Sequence, residues 1–390
     1  MMDVVRVDDL AEETIPQSLS RDTIDRPTMV DFFAGSGLVS EALHPFFRTI
    51  WANDIDPKKA KVYCRNHPYA TFDTGSIEDL HGSNVPSSTL SWGSFPCQDL
   101  SLAGKRTGIS SPRSGLVWQW LRVMDEMSGR PPLVVAENVL GLVSMHNGDH
   151  YRRLHVALVD RGYRVGAMVL DAAHWLPQSR RRVFIVAIDE HIQVPDSLES
   201  TQPLWCHPKP IRDISSGLPG WIYWNLPTPS MRTERLHDVV EWEAPFDDDK
   251  RSRHNISLIP SAHRARLESE AVANLSVFTG YKRRRNGQQV LELRFDDMAG
   301  CLRTPQGGSS RQVLVLRTED GLKTRLLTIR ELARLMGAPD SYEIPGSYND
   351  AYRALGDAVA VPVCHFLGEA LLEPLAHMCM KEQSPCLTAL

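Results

Sequence analysis

The stretch VDFFAGSGLVSEAL, residues 30–43, decides the fold, because it places two glycines between an apolar strand and an amphipathic helix. Gly35 and Gly37 fall where the backbone must pass close to a ligand and where amide groups can face it. This spacing is typical of a site for a nucleotide-like cofactor. A dinucleotide fingerprint would need Gly or Ala where Ser40 stands, so the match is incomplete, and a tight structural turn is the alternative.

A carboxylate follows at the distance expected for ribose recognition. Asp54 lies 19 positions beyond Gly35, at the end of the next apolar run, where its side chain can accept hydrogen bonds from ribose hydroxyls. The alternative role for Asp54 is a helix cap, since Pro57 and Lys58 begin a helix there. Phe33 is a candidate for stacking on an adenine ring, with a core position as the alternative.

Short apolar runs alternate with helix-like stretches over the first half of the chain. The predicted strands are TMVDFF from Thr28, TIWA from Thr49, LSWG from Leu90, LVVAE from Leu133, YRVGAMVL from Tyr163 and VFIVAI from Val183. Between them, apolar residues at helical spacing follow Ser40, Ser114 and Asp149, which are suitable helix caps. This alternation predicts an α/β fold with a parallel sheet covered by helices.

The alternation ends near His191, and a stretch rich in Pro, Trp and Arg follows. We therefore predict an acidic leader at 1–26, an α/β domain with the cofactor turn from 27 to about 190, and a second, smaller and irregular domain or a large insertion after it. Helical spacing resumes at TIRELARLMG, from Thr328, and at VPVCHFLGEALLEPLAHM, from Val361.

Composition narrows the class of protein. The 390 residues include 43 Lys and Arg against 48 Asp and Glu, so the net charge is −5, unlike that of a small basic nucleic-acid binder, although a local basic groove is compatible with it. Seven cysteines without a CxxC pair indicate reduced thiols in cytoplasm, with no metal site or disulfide scaffold. The leader lacks an apolar signal core, and no apolar run reaches 18 residues, so we expect neither secretion nor membrane insertion.

Cys97 differs from the other cysteines in its surroundings. It follows an apolar run within a Pro-Cys-Gln turn, between Pro96 and Gln98, and Lys105 and Arg106 are near in sequence. Nearby cations and helix dipoles lower the pKa of a thiol and so favour the nucleophilic thiolate. We therefore predict that Cys97 is a nucleophile, while inert packing is the expected role of the other cysteines.

The FxGxG turn, the Pro-Cys-Gln turn, Glu-Asn-Val at 137–139 and QSRRR at 178–182 occur in a characteristic order. In this order and spacing the chain resembles the C5-cytosine DNA methyltransferases of bacteria and phages. The resemblance covers residues 28–190 and 298–375, and it implies a Rossmann-like methyltransferase domain. Residues 191–300 stand where this family carries its target-recognition domain. By the same resemblance, residues 27–190 would form the catalytic and cofactor-binding domain, and residues 301–390 would form a return segment whose C-terminal helices complete it.

The resemblance implies a mechanism and its residues. Cys97 would add to C6 of a cytosine turned out of the duplex, and the activated C5 would take a methyl group from S-adenosylmethionine, leaving S-adenosylhomocysteine. Glu137 would act as the acid at N3 and Arg180 as the cation at O2, where negative charge develops. Arg182 would brace Glu137 or a loop. Gln178 and Arg180 lie four and two residues before it, so on a strand all three side chains would face the same side.

The family's cofactor positions also carry over to this chain. They are Phe33, Gly35, Ser36, Gly37, Asp54, Ile55, Ser76, Ile77, Pro96, Leu116, Asp357 and Ala358. Three residues depart from the family pattern. Ser76 replaces a common acid, Asp357 follows Gly356 where an asparagine is usual, and Cys301 replaces a threonine.

Duplex DNA is the partner that the resemblance implies. The predicted DNA contacts are Gln98, Lys105, Arg106, Arg113, Arg283, Arg284, Arg285, Arg303 and Arg311. The chain would act as a monomer in the cytoplasm, at the nucleoid when bound to DNA. A cognate restriction endonuclease or defence-system proteins are candidate partners.

Three other functions compete with this prediction. A C5 methyltransferase acting on RNA would be expected to carry a Cys-Phe-Thr signature, which this chain lacks. A catalytically silent DNA-binding relative is disfavoured by the intact set of Cys97, Glu137, Gln178, Arg180 and Arg182. An NAD-dependent oxidoreductase is disfavoured by Ser40.

Overall fold

The computed structural model describes residues 26–96, 115–303 and 311–383. These residues form two compact units. The first unit holds the described residues up to 170, Arg181–Thr228 and those from Cys364 onward. The second unit holds Asp171–Arg180 and Pro229–Val363.

A seven-stranded sheet lies at the centre of the first unit. Its strands are β1 (Thr28–Phe32), β2 (Arg48–Asp54), β3 (Thr71–Thr74), β4 (Leu90–Gly93), β5 (Leu133–Val139), β6 (Tyr163–Asp171) and β7 (Arg181–Asp189). They are ordered β3-β2-β1-β4-β5-β7-β6. Strands β1 to β5 pair in parallel, which confirms the predicted α/β fold.

Strand β7 departs from the all-parallel prediction, because it runs antiparallel to β5. Only residues 172–180 separate β6 from β7, too few for the crossover helix that a parallel return requires. The chain therefore reverses and enters the sheet between β5 and β6 in the opposite direction.

The helices of the first unit follow the predicted alternation. They are α1 (Leu38–Leu43), α2 (Pro57–Asn66), α3 (Leu116–Glu126), α4 (Gly141–Ser144), α5 (Asp149–Val159) and, further along, α6 (Lys209–Ser215), with 3₁₀ turns at Gly82–Asn84 and Met145–Gly148. Helix α2 begins with Pro57 in its first turn, and Asp56 accepts from the Lys58 amide as its cap. Fully buried Trp120 and Tyr151 pack in the core against the sheet.

The second unit is built on a four-stranded antiparallel sheet. The sheet is ordered β11-β10-β12-β13 and consists of β10 (Val277–Arg285), β11 (Gln288–Leu293), β12 (Gln312–Thr318) and β13 (Gly321–Leu326). Its helices are α7 (Leu236–Val239), α8 (Asp249–Ser257), α9 (Ser261–Leu267), α10 (Ile329–Leu335) and α11 (Tyr348–Asp357), with 3₁₀ turns at Ala172–His174 and Glu270–Val272. Ile259, Phe278 and Leu291 lie in its core.

The unit boundaries differ from the predicted ones. Residues 191–228, including the short strands β8 (Glu199–Ser200) and β9 (Tyr223–Trp224), group with the seven-stranded sheet. The buried Trp224 explains this grouping, because its Nε1 donates to the Val186 carbonyl of β7 at 3.2 Å. The return segment up to Val363 groups with the second unit, since it supplies β12 and β13.

The chain ends in a run of helices: α12 (Val361–Leu367), a π-helical turn at Gly368–Leu372 and α13 (Glu373–Gln383). Among the described residues, the stretch Tyr348–Glu382 is long and apolar enough to cross a membrane by length and composition. In its most apolar window 56% of the stretch is buried within the protein, which is typical of a core helix as well.

Candidate active site

The turn after β1 has left-handed backbone at three positions: Phe33 (φ 56°), Gly35 (φ 59°) and Gly37 (φ 84°). This conformation strains a residue that has a Cβ atom, so Phe33 is strained while the glycines are at ease. Within the part of the chain that the structure describes, a Cβ atom on Gly35 would meet nothing nearer than the Phe33 carbonyl oxygen, at 4.0 Å. The space beside Gly35 is therefore open to a ligand.

Asp54, at the end of β2, holds this turn. Its Oδ2 accepts from the Gly35 amide at 2.9 Å, and its Oδ1 accepts from the Asp56 amide at 2.9 Å. Burial raises the pKa of the Asp54 carboxyl, and the charge of Lys59 opposes the rise. The helix-cap alternative for Asp54 is wrong, since Asp56 is the residue that caps α2.

Two aromatic rings pack behind the glycine turn: that of Tyr63 in α2 and that of His67 directly after this helix. A Cβ atom on Gly37 would lie 2.7 Å from Cδ2 of His67 and 2.9 Å from Cδ2 of Tyr63. Nε2 of His67 lies 3.0 Å from the Gly37 carbonyl oxygen, and because a carbonyl only accepts, the imidazole donates. Burial lowers the pKa of His67 to about 4, so the ring is neutral near pH 7.

A buried polar chain continues from these rings to β1. The Ser40 Oγ donates to Asp31 Oδ2 at 3.0 Å and lies 2.8 Å from the Tyr63 hydroxyl. Asp31 is fully buried, and desolvation raises its pKa to about 8. Sequence reasoning missed this group, because it used Ser40 only as a mismatch to a dinucleotide fingerprint.

Other predicted cofactor residues of the first unit lie at the ends of its strands and helices. Ile55 directly follows β2 and is 69% exposed, which is unusual for an isoleucine and leaves an apolar surface for a ligand. Ser76 Oγ accepts from the Glu78 amide at 3.2 Å, so this departure from the family pattern closes a local turn. Ser36 and Ile77 are buried, Pro96 follows β4, and Leu116 begins α3.

Glu137 and Arg182 form the charged centre of the first unit. Glu137 faces Phe184 across the β5–β7 pair, so Arg182 is its diagonal neighbour on the same face. Arg182 Nε lies 3.0 Å from Glu137 Oε1, with side-chain exposures of 15% and 8%. An ion pair this sheltered from water is held in place rather than loosely sampled, so both groups have fixed positions.

The same strand positions the approach to Cys97. Asn138 Nδ2 donates to the Phe95 carbonyl at 3.1 Å, so the end of β5 holds the chain two residues before the predicted nucleophile. Cys97 itself lies outside the described residues, as do Gln98, Lys105, Arg106 and Arg113.

Arg180 occupies a different setting from the one predicted for it. Its side chain is 2% exposed, and its guanidinium donates to the carbonyls of Leu302 (3.0 Å), Gly356 (3.0 Å) and Ala358 (2.5 Å). It also contacts Cys301 Sγ at 3.3 Å, so the cysteine at this departure accepts from the arginine. Through these contacts within the second unit, Arg180 joins the start of the return segment to the end of α11.

Gln178 plays a similar structural role in the second unit. It is fully buried, accepts from the Leu302 amide at 3.1 Å and donates to the Leu335 carbonyl at 2.5 Å. Asp357, exposed, ends α11, and Ala358 directly follows it. Among the described residues, no group of three or more His, Cys, Asp and Glu side chains could hold a metal ion.

A comparison with known families accounts for this set of residues. The family model described as C-5 cytosine-specific DNA methylase matches residues 27–373. The chain belongs to this family. The enzyme class is therefore DNA (cytosine-5-)-methyltransferase.

Two relatives illustrate the similarity within the C-5 cytosine-specific DNA methylases. Type II methyltransferase M.HpaII of Haemophilus parainfluenzae is 27% identical over 355 residues, covering 90% of each chain. Type II methyltransferase M1.ScrFI of Lactococcus lactis subsp. cremoris is 27% identical over 352 residues, covering 89% of this chain and 78% of the relative.

Solved structures show the same fold. The crystal structure of S. pombe Dnmt2 methyltransferase matches with a TM-score of 0.58 and 21% identity, covering 90% of this chain and 99% of that one. A putative DNA modification methyltransferase encoded within an E. coli prophage matches with a TM-score of 0.53 and 19% identity, covering 88% and 98%. The Rossmann-like methyltransferase fold is thereby confirmed.

Three of the predicted DNA contacts, Arg283, Arg284 and Arg285, divide between the two faces of strand β10. Arg283 lies over the Tyr281 ring at 5.7 Å, and Arg283 and Arg285 both pair with Glu292. Arg284, between them, points to the opposite face because side chains alternate along a strand. The structure therefore separates Arg284 from its two neighbours.

Arg303 lies two residues beyond a contact of the Tyr281 side chain. The Tyr281 hydroxyl donates to the Cys301 carbonyl at 2.6 Å, and the chain continues from there to the exposed Arg303. Arg311 lies over the Tyr348 ring at 5.6 Å and donates to the Asn349 side chain. Tyr281 is therefore linked to Arg283 through its ring and to the chain segment before Arg303 through its hydroxyl.

Proposed function

We propose that the enzyme transfers a methyl group from S-adenosylmethionine to C5 of a flipped cytosine in duplex DNA, through a covalent bond between Cys97 and C6. The observation that carries this proposal is the end of β5. Glu137 is fixed there by Arg182 at 3.0 Å, and the next residue, Asn138, holds the backbone leading to Cys97. The acid thus stands at the end of β5, and the same strand end holds the chain two residues before the predicted nucleophile.

The first unit fits S-adenosylmethionine, which when bound supplies an electrophilic methyl group. The open space beside Gly35 admits a ligand against the backbone, where a side chain would obstruct it. Exposed Ile55 offers an apolar surface for the adenine, and Asp54 stands beside the glycine turn to accept from the ribose. Asp357 and Ala358 stay assigned to the cofactor on the family resemblance.

Cys97 supplies the step that the cytosine ring needs. The C5 atom is a poor nucleophile while the ring is aromatic. Addition of the Cys97 thiolate to C6 forms an S–C6 bond and moves an electron pair toward N3, which makes C5 electron-rich. After methylation, loss of the C5 proton returns the electron pair to the ring and expels the thiolate.

Glu137 and Arg182 stabilise the charge that this addition creates. Glu137 would hold a proton at N3, and its fixed position favours the transition state over the ground state. The structure leads us to assign the cation at O2 to Arg182 instead of Arg180. Arg182 is paired with Glu137, whereas the Arg180 donors are engaged by carbonyls of Leu302, Gly356 and Ala358.

Arg283 and Arg303 are proposed to contact the DNA backbone, because both are exposed and Tyr281 contacts Arg283 with its ring and the Cys301 carbonyl near Arg303 with its hydroxyl. The names of the relatives suggest the biological setting, a type II modification enzyme with a cognate restriction endonuclease as partner. The enzyme would then act as a monomer in the cytoplasm, where bacterial DNA lies.

The test is methyl transfer by the full-length chain to duplex DNA from a host without cytosine methylation. With tritium-labelled S-adenosylmethionine, label should appear in 5-methylcytosine, and bisulfite sequencing should place it in one sequence context. A duplex carrying 5-fluorocytosine in that context should become covalently attached to the protein. Cys97→Ala should lose transfer and attachment but keep affinity for S-adenosylhomocysteine. Label confined to tRNA, or attachment by Cys97→Ala, would overturn the proposal.

A further inference from the structure

The loop after β3 carries the predicted cofactor residues Ser76 and Ile77, and two side chains hold its carbonyl groups. Asn53, on β2, donates through Nδ2 to the Asp73 carbonyl at 2.9 Å and the Gly75 carbonyl at 3.0 Å. The loop is thus tied on one side to the strand that ends in Asp54.

Arg122, on α3, holds the other side of this loop. Its Nη2 donates to the carbonyls of Ile77 at 3.0 Å and Leu80 at 3.0 Å, with the Glu78 carbonyl at 3.4 Å. Three carbonyl groups of one turn therefore converge on one guanidinium nitrogen.

The rest of the guanidinium is fixed by its own helix. Nε donates to Gln119 Oε1 at 2.7 Å, and Nη1 donates to Glu126 Oε1 at 2.6 Å. The second oxygen of Glu126 accepts from the Gly82 amide at 2.8 Å, so the end of the loop is held as well. The planar fork of an arginine allows no other orientation that keeps these bonds.

We call the hydrogen bonds from Arg122 to the loop carbonyls the clamp. Helix α3, which carries Arg122, packs against the sheet, so the clamp has a rigid base. Trp120 is fully buried and donates from Nε1 to Ser91 Oγ on β4 at 3.1 Å. A Cβ atom on Gly93 would lie 2.8 Å from the Trp120 ring, so helix and strand are in close contact. Leu116, another predicted cofactor residue, begins this same helix.

The clamp does more than satisfy carbonyl groups. Ile77 and Leu80 are buried, and Arg122 donates to the carbonyl groups of both, whereas the neighbouring Glu78 and Asp79 are exposed. What Arg122 adds is geometry: it fixes Ile77 relative to Leu116, and Asn53 fixes Gly75 relative to Asp54.

We infer that Arg122 is a positioning residue for S-adenosylmethionine, which sets the loop of Ser76 and Ile77 against the start of α3 and thereby determines cofactor affinity. The inference rests on the proposed function, since it needs the cofactor to lie between these elements. Arg122 acts through the loop and touches neither the methyl group nor the cytosine.

The experiment compares the full-length chain with Arg122→Ala, Arg122→Lys and Arg153→Ala. Arg153 is the matched control, an arginine of α5 whose pair with Asp149 at 3.0 Å is exposed and holds no loop. Binding of S-adenosylhomocysteine is measured by calorimetry, together with the melting temperature without ligand and the KM and kcat of methyl transfer.

Arg122→Ala should weaken S-adenosylhomocysteine binding about tenfold and raise the KM for S-adenosylmethionine in parallel, while kcat at saturation stays within about twofold. Arg122→Lys, which keeps the charge but loses the fork, should recover only part of the affinity, and Arg153→Ala should match the wild type. If Arg122→Ala does not fold, the lysine variant alone decides the question by its affinity.

A lowered melting temperature with unchanged affinity and KM would show a purely structural role and overturn the inference. A kcat that falls with KM unchanged would overturn it too. Failure of the proposed function is distinguishable from both, because in that case the wild-type chain itself would bind no S-adenosylhomocysteine.

Discussion

Gly35 and Gly37 lie two residues apart in one turn, yet the structure predicts different consequences for an alanine at each position. In Gly37→Ala, the φ of 84° costs about 1–2 kcal/mol for a residue with a Cβ atom. The new methyl group would also lie 2.7 Å from the His67 ring, and such overpacking costs about 1–3 kcal/mol. The free energy of unfolding should therefore fall by about 2–5 kcal/mol.

In Gly35→Ala only the backbone cost applies, about 1–2 kcal/mol, because the methyl group has no close neighbour. That methyl group would instead occupy the open space assigned to the cofactor. We expect S-adenosylhomocysteine affinity to fall by at least about tenfold, equivalent to about 1.4 kcal/mol. One substitution thus acts mainly on stability and the other mainly on binding.

Urea unfolding at 25 °C measures the first effect and calorimetry the second. The double variant Gly37→Ala/His67→Ala provides a control, because loss of the imidazole removes the nearest clash. It should be more stable than the sum of the two single effects predicts. The reasoning is refuted if Gly35→Ala loses more stability than Gly37→Ala, or if Gly35→Ala binds S-adenosylhomocysteine as the wild type does.

Three further predictions follow from other contacts. Arg182→Ala should lower kcat of methyl transfer by at least about a hundredfold in protein that stays folded, besides the about 3–5 kcal/mol of stability that loss of one partner of a buried ion pair costs. Arg180→Ala should cost about 3 kcal/mol of stability by leaving buried carbonyls unpaired, with a smaller loss of kcat; equal kinetic losses in folded proteins would contradict this. Arg283→Ala and Arg303→Ala should each make the salt dependence of DNA binding shallower by about 0.9 in log–log slope, and an equal change in the control Arg284→Ala would refute the division of faces. Because the pKa of Asp31 rises to about 8 on folding, the unfolded chain binds fewer protons between about pH 4 and 8, and stability should fall as pH rises through that window. In Asp31→Asn, the free energy of unfolding measured with urea should differ less between pH 6 and pH 8 than it does in the wild type. An unchanged pH dependence would contradict the assignment of this effect to Asp31.

The sequence predicted the strands that have a clear apolar signal and missed those that do not. Strands β1, β4 and β5 are runs of buried residues, which an apolar stretch marks directly. Strand β3 has one buried residue, Phe72, so no apolar run indicates it. The sheet of the second unit was equally hidden. The exposed basic end of β10 masks its buried first half, and β12 pairs with it from a distant position. Strand β11 follows directly after the two-residue turn Asn286-Gly287, a hairpin signal that sequence reasoning missed.

The candidate site likewise combines features that residues close in sequence define with contacts between residues far apart in sequence. The glycine turn and Asp54 could be placed because a strand, a turn and a carboxylate at fixed spacing define one another locally. The contacts of Arg122 with Ile77 and of His67 with Gly37 join residues 45 and 30 positions apart. No motif encodes such pairs, because each depends on how two helices happen to meet a loop.

The assignment of Arg180 shows where a rule of periodicity stops. Side chains two residues apart share a face only while both lie within one strand, and parity along QSRRR therefore suggested a common face for Arg180 and Arg182. Strand β7 begins at Arg181, so Arg180 lies before it and belongs to the segment that pairs with Ala299 and Leu302. Arg182 is inside the strand, and its partner in the antiparallel register is Val139, which brings it diagonally to Glu137. The start of β7 at Arg181 thus places Arg182, and not Arg180, beside Glu137 on the sheet, which supports our proposal that loss of Arg182 slows the chemistry.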